Sequence, residues 1–374
     1  MPAEFGESID IDTRFMSSQS EMNIFMRKLA TDFSSELRKL KNITGRIIFT
    51  LDSKSWRKDL YPTSEYKANR EQDNKIHWSN VHNVIEEFTE LLKEQGVIIH
   101  RVAGAEGDDL IYAWTCALNS KGENCIIWSG DTDLMQLVNY NRSTDAYTLW
   151  YDNTRSRIGV YPGFVKYLNI KDGSKEDEYE DIFSVDNVLI VSNQIKEEIK
   201  QFIGSNNLET LDVYCDDYVL TKILTGDKSD NIKSVYSVEK IGKTGKPRTS
   251  KINEEKAKSI LNTFKKRHGR FSSMYLFEES YKKELVKIIA AEMSLTNPDD
   301  LLPNLELNTN LILLHSSTIP ETLQTIMYNH IDDLLVDNKL EIKNLLSKEG
   351  ILHKTKYLDP NFKSGPSAPS ISLF

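Results

Sequence analysis

VIIHRVAGAEGDDLIYAWTCALNSKGENCIIWSGDTDLMQLV, residues 97–138, reads as strand, helix, strand, with acids packed into both strand-to-helix junctions. VIIHRV (97–102) and CIIWS (125–129) are short apolar runs, and the segment between them predicts a helix over 106–120, broken near Gly122. The same alternation continues upstream. A helix is expected over about 78–95 (Val81, Val84, Ile85, Phe88, Leu91, Leu92), stopped by Gly96, and GRIIFTLD (45–52) is a buried strand ending in an acid. Met22, Phe25, Met26, Leu29, Phe33, Leu37 and Leu40 recur at helical spacing over 21–41. Short strands alternating with helices point to an α/β domain with a parallel sheet.

The acids sit where such a sheet opens a crevice, outside the carboxyl ends of its strands. Asp52 ends the first strand; Glu106, Asp108 and Asp109 follow the second; Asp131 and Asp133 follow the third. Any one of them could simply cap a helix. Six from three units form a cluster that repels itself, and no basic neighbour in sequence is placed to neutralise it. Oxygen-only ligands suit Mg²⁺ or Mn²⁺ rather than zinc. Two such ions about 4 Å apart clamp an attacking and a leaving oxygen, which is the requirement of phosphodiester hydrolysis. Other chemistries lack their residues: there is no GxSxG elbow, HExxH helix or GxxxxGK loop, and the seven histidines show no ligand spacing.

Across its 374 residues the chain carries a net charge of −9, which taken alone argues against a nucleic-acid partner. The distribution reverses that reading. Residues 220–270 hold 14 Lys and Arg against five acids, +9, leaving −18 for the remainder. A basic island in an acidic chain is the footprint of a phosphate-tracking element. Within it, TGDKSDNIKSVYSVEKIGKTGKPRTSK carries Asp227 and Asp230 around a tight turn, and Lys228, Lys233, Lys243, Lys246, Arg248 and Lys251 as candidate phosphate contacts. Its Gly/Lys-rich loop opens onto a helix expected at about 252–267, whose N-terminus can grip phosphate. A second basic stretch, KSWRKDLYPTSEYKANR, interleaves Arg57, Lys58, Lys67 and Arg70 with Trp56, Tyr61 and Tyr66, a mixture suited to tracking and stacking a single strand.

AEGDDLIYAW, WSGDTDLMQL and LTGDKSDNI, in that order after a strand-terminal Asp and an EYKANR segment, resemble the 5′ nuclease (flap endonuclease) superfamily. The likeness is greatest to the phage ribonuclease H and 5′→3′ exonuclease group and runs from about 21 to 260. It implies a PIN-like parallel-sheet domain with a helical arch, then a helix-three-turn-helix and a helical C-terminal region. It further implies that Asp52, Glu106, Asp108 and Asp131 hold the catalytic ion, and that Asp133, Asp227 and Asp230 serve a second. Lys67 and Arg70 become arch residues that polarise the scissile phosphate, and the turn around Lys243–Lys246 grips duplex with a monovalent cation, K⁺, as a further candidate. The implied reaction is 5′→3′ removal of RNA primers or flaps from RNA–DNA and DNA duplexes in replication or repair. A first-strand aspartate belongs to the pattern and falls at or before residue 1; SIDID (8–12) offers Asp10 and Asp12 but is a poor apolar strand, so a start further upstream is expected.

The expected organisation is a nuclease domain over 1–214, with its arch at about 53–77 and an insertion at about 150–214. A duplex-binding and helical domain follows over 215–360, then a flexible tail over 361–374. The tail ends Ser-Ile-Ser-Leu-Phe, similar to peptides that bind sliding clamps, with Leu373 and Phe374 as the apolar anchor; a single-strand-binding protein is the other partner considered for this region. No stretch reaches the ~18–20 apolar residues of a membrane span. Three cysteines without a CxxC argue for a reducing, cytoplasmic setting, the host's cytoplasm for a viral chain, and a monomer is expected. Two rival readings stand beside the flap nuclease: a PIN-type RNA endonuclease, and a junction-binding protein impaired by the absent first aspartate.

Overall fold

The computed structural model describes residues 16–39, 44–60, 66–68, 77–141, 143–152, 157–159, 215–241, 247–269, 271–335 and 340–341. The amphipathic segment read at 21–41 forms α1 (Gln19–Lys39), which buries Phe25, Met26, Leu29, Ala30 and Phe33. It packs on α3 (Trp78–Glu94), with Phe33 meeting Phe88 edge-on at 5.9 Å. Between them lie β1 (Thr44–Gly45), β2 (Ile48–Thr50) and the single turn α2 (Arg57–Leu60). Gly96 takes φ +89 after α3, so the chain reverses directly into β3 (Ile98–His100).

β2 and β3 pair in parallel, with Phe49 opposite Ile99. After α4 (Gly107–Ser120), β4 (Cys125–Trp128) pairs in parallel with β6 (Ala146–Asp152), which is flanked by β5 (Asn139–Asn141) and β7 (Arg157–Gly159), both antiparallel to it. The expectation of one sheet holding all three acid-bearing strands is therefore corrected: the described parallel pairs belong to separate sheets. α4 packs across β2, β4 and β6 and so brings both strand ends to its own N-terminus. The fold is α/β with parallel strands, as its alternating pattern requires.

Downstream, α5 (Cys215–Thr225) leads through a turn into the antiparallel hairpin β8 (Ser237–Ile241) and β9 (Pro247–Lys251), then α6 (Glu254–His268). The hairpin stands where the sequence reading put turns alone. α7 (Glu279–Met293), α8 (Leu302–Ile312) and α9 (Glu321–Leu334) complete the helical region, and β10 (Leu340–Glu341) pairs with β1. One core gathers Leu220, Ile223, Ile260, Phe264, Leu285 and Ile289 from α5, α6 and α7. A second sets Leu323, Met327 and Ile331 of α9 against Leu110, Ala113 and Trp114 of α4. The last described helix thus closes the face of the first acid-bearing one. Among the described residues no helix is long and apolar enough to cross a membrane. Most of the 150–214 insertion, the arch around Arg70, Lys243 and Lys246, and the tail with Leu373 and Phe374 lie outside the described residues.

Candidate active site

α4 begins where β3 ends, and its first turn has two acidic functions. Asp52 reaches across from β2, and its Oδ1 accepts a hydrogen bond from the Gly107 N–H at 2.6 Å. A Cβ at position 107 would stand 3.1 Å from that oxygen, so glycine leaves room for the close approach. Asp109 Oδ2 accepts from the Glu106 N–H at 3.0 Å and caps the helix in turn.

Asp109, expected among the metal ligands, is instead held by four protein donors. It is fully buried; Arg57 Nη2 donates to Oδ1 at 2.8 Å, and Oδ2 receives Arg57 Nη1 (3.0 Å) and the Trp56 indole (3.1 Å) besides the backbone. Arg57 is likewise corrected from nucleic-acid contact to interior residue: it is 2% exposed and also donates to Glu106 Oε2 at 2.9 Å. Its guanidinium pKa is raised because the neighbouring acids outweigh the cost of burial. Tyr66 is buried too, which removes it from base stacking, and its hydroxyl lies 3.1 Å from Glu106 Oε2 and 3.4 Å from Asp230 Oδ2. Lys58 stays exposed.

Lys67 takes a left-handed backbone (φ +57), its N–H donating to the Asp230 carbonyl at 2.9 Å. Its ammonium bonds Glu106 and stands 3.9 Å from Asp230 Oδ2. Burial would raise the Glu106 carboxyl, but Lys67 and Arg57 outweigh it and hold the group below its ordinary value. Among the described residues Asp108 has no such hydrogen-bonded base. Burial and the charges of Asp131, Asp52 and Glu106 push its carboxyl well above the usual carboxylate range, with Lys67 opposing.

The other half of the site is built on β4 and α5. Asp131 is exposed and caps a 3-10 turn over Thr132–Leu137, accepting from the Asp133 N–H at 2.8 Å. Burial and Asp131 push the Asp133 carboxyl up to about 6. Lys222, in the last turn of α5, bridges Asp133 Oδ2 and Asp227 Oδ2, each at 2.6 Å, and its own pKa is raised because that contact outweighs its burial. Asp227 Oδ1 folds back to accept from Ser229 N–H (2.8 Å) and Oγ (2.6 Å), and these bonds with Lys222 hold its carboxyl low against burial. Gly226 (φ +75) ends α5 and lets the Asp227 and Ile232 backbones pair reciprocally at 2.9 and 2.7 Å.

Asp52, Glu106, Asp108, Asp131, Asp133, Asp227 and Asp230 are thereby gathered with Lys67 and Lys222. The expected lack of neutralising bases is corrected: Arg57, Lys67 and Lys222 supply the counter-charge. Lys222 was missed as a site residue, although its place one turn before Gly226 puts it at the same helix end as Asp227. Among the described residues, no group of three or more His, Cys, Asp or Glu stands in a geometry that could hold a metal ion. In donor type the acids fit a hard divalent cation, and Asp108 carries the uncompensated repulsion that such an ion relieves.

The candidate duplex-binding residues lie on the hairpin and on the turn that also carries Asp227 and Asp230. Lys240 and Arg248 are cross-strand neighbours on the β8–β9 hairpin, where Arg248 and Lys251 are exposed, as are Lys228 and Lys233 in the preceding turn.

Residues 14–160 match the family described as 5′-3′ exonuclease, N-terminal resolvase-like domain. A 5′-3′ exonuclease of Buchnera aphidicola subsp. Schizaphis graminum is 28% identical over 137 residues, 35% of this chain and 45% of that one. Its counterpart from subsp. Acyrthosiphon pisum is 32% identical over 116 residues, 31% and 38% of the two chains. The match thus spans less than half of either relative. Among solved structures, the bacteriophage T5 D15 protein co-crystallised with metal ions is similar at a TM-score of 0.47 and 14% identity, over 84% of this chain and 96% of that one. A T5 D15 flap endonuclease variant in complex with DNA and metal ions gives 0.42 and 13%, over 85% and 93%. Residues 14–160, which carry every strand-end acid from Asp52 to Asp133, are thus similar to a 5′-3′ exonuclease N-terminal domain.

Proposed function

We propose that this protein is a divalent-metal-dependent, structure-specific 5′ nuclease of the ribonuclease H and flap endonuclease type, removing RNA primers or flaps during replication or repair. The observation that supports the reading is the approach of acids from four separate segments; four of these acids (Glu106, Asp230, Asp133 and Asp227) meet on Lys67 or Lys222. Asp52, Glu106, Asp108 and Asp131 would hold one ion and Asp133, Asp227 and Asp230 a second, Mg²⁺ with Mn²⁺ able to substitute. Bound ions would supply the positive charge that a phosphodiester requires as negative charge develops on its oxygens. Lys67, anchored through Glu106, reaches the same crevice and can meet a phosphate oxygen, with Arg70 its partner. Lys67 and Lys222 occupy carboxylate oxygens of Glu106, Asp133 and Asp227 that would otherwise be open to a divalent ion. The hairpin and its turn, with Lys228, Lys233, Lys243, Lys246, Arg248 and Lys251, would hold the duplex, K⁺ helping at the turn. Leu373 and Phe374 would dock a sliding clamp.

A second reading has an observation of its own. With Lys67 and Lys222 already neutralising acids, the protein could bind flaps without cutting them. A 5′-flap DNA, an RNA–DNA hybrid and a single-stranded RNA, each with Mg²⁺ or EDTA, separate the readings. Mg²⁺-dependent cleavage of flap or hybrid is expected, and Asp131→Ala should lower it by a factor of about 10²–10³ while leaving duplex affinity intact. Tight flap binding with no cleavage would establish the binding module. Cleavage of the single-stranded RNA alone would make the protein an RNA endonuclease.

A further inference from the structure

Arg57 is the charged side chain in this structure whose burial the nuclease reading leaves unexplained. Taking a guanidinium out of water costs several kcal/mol unless its donors are met. Here four hydrogen bonds meet four of the five: Nε to the Leu311 carbonyl of α8 (3.1 Å), Nη1 to Glu106 Oε2 (2.9 Å) and Asp109 Oδ2 (3.0 Å), and Nη2 to Asp109 Oδ1 (2.8 Å). The fork on Asp109 is bidentate, the geometry that fixes a guanidinium plane. Asp109 is itself immobilised by the Trp56 indole and the Glu106 backbone. The guanidinium is thus a rigid plate held at two edges and stacked 4.7 Å from the Trp56 ring centroid, and it also holds the Glu106 carboxylate.

Glu106 faces the acid cluster from α4, and Arg57 grips it from the interior side. Nε alone is held by α8, through the Leu311 carbonyl 254 residues away in sequence, so that edge of the plate is fixed only when α8 is packed in place. α8 also packs on α5, the helix that carries Lys222 and leads into Asp227.

We propose that Arg57 is a positioning residue for the metal site: anchored on the Leu311 carbonyl and on Asp109, it fixes the Glu106 carboxylate in the orientation that receives a divalent ion. Ion affinity therefore depends on α8 holding the Leu311 carbonyl against Arg57. The proposal rests on the metal-dependent reading above and adds to it a residue that touches neither ion nor substrate. Outer partners of this kind, when removed, lower metal affinity by about 10–100-fold.

Arg57→Lys keeps the charge and loses the fork. Calorimetric titration with Mn²⁺ is expected to show affinity about tenfold or more below wild type, while the affinity for 5′-flap DNA in EDTA is unchanged. Leu323→Ala, which loosens the α4–α9 core without touching the fork, serves as the stability control: it should lower the melting temperature and leave Mn²⁺ affinity alone. If Arg57→Lys does not fold, Asp109→Asn, nearly isosteric, weakens the same fork and should show the same loss. Wild-type Mn²⁺ affinity in a folded fork variant, or an equal loss in Leu323→Ala, overturns the proposal alone. A wild-type protein that binds no Mn²⁺ overturns both the proposal and the reading beneath it.

Discussion

The imidazole of His100 is 1% exposed and accepts a hydrogen bond at Nδ1 from the Trp114 indole, 2.9 Å away, so its proton sits on Nε2, where no acceptor meets it. Burial, with the His330 ring 5.9 Å away, lowers its pKa from 6.5 to about 4. The folded protein keeps this ring neutral while the unfolded chain protonates it below 6.5. The contribution is therefore complete above pH 6.5 and is lost as pH falls towards 4, up to about 3 kcal/mol. His100→Asn retains an acceptor for Trp114 and cannot protonate. Urea midpoints of this variant should fall less steeply between pH 6.5 and 4 than those of wild type, and an identical slope would refute the assignment. Single residues were also where sequence was least informative. The strand-end position of Asp52, Glu106 and Asp131 is visible locally, because a strand's end is marked by its neighbours. The burial of Arg57 and Asp109 is not, because they fix each other across 52 residues and Arg57 is held besides by a carbonyl in α8.

Among the elements, the segment from α5 to α6 shows how one glycine shapes a site. A Cβ on Gly226 would meet the Ile232 carbonyl oxygen at 2.3 Å and Lys233 backbone atoms at 2.5 and 2.7 Å, and the φ of +75 adds strain of its own. Backbone cannot step aside as a side chain can. Gly226→Ala should cost at least about 2 kcal/mol, read as a fall in melting temperature; a wild-type value would mean the turn is softer than its contacts require. Helices were legible because each buries one stripe: the reading of 78–95 became Trp78–Glu94, and that of 252–267 became Glu254–His268. The β8–β9 hairpin was not legible for the opposite reason. SVEKI and PRTSK bury neither face, with Ile241 84% exposed, so no alternation of apolar and polar residues marks them as strands.

For the molecule as a whole, charge is divided between an acidic crevice and a basic arm, and the net −9 is the resultant. Exposed cations on the arm should make duplex binding fall steeply with salt. Each phosphate neutralised contributes a slope of about −0.9 in log K against log salt. Lys240→Gln with Arg248→Gln, away from the acids, should flatten that slope by about 2 in anisotropy titrations of a 5′-flap duplex in EDTA. An unchanged slope would place the duplex elsewhere.

The packing of α9 against α4 has a bearing on how such a chain can be divided. The residues that match the exonuclease domain end at 160, yet the apolar face of α4 is covered by Leu323, Met327 and Ile331, far beyond that limit. What recurs between relatives as a unit of sequence is not, in this chain, a unit of folding. A recombination that moved residues 14–160 alone would transplant the strand-end acids but leave behind Asp227, Asp230 and the helix that shields Leu110 and Trp114 from water.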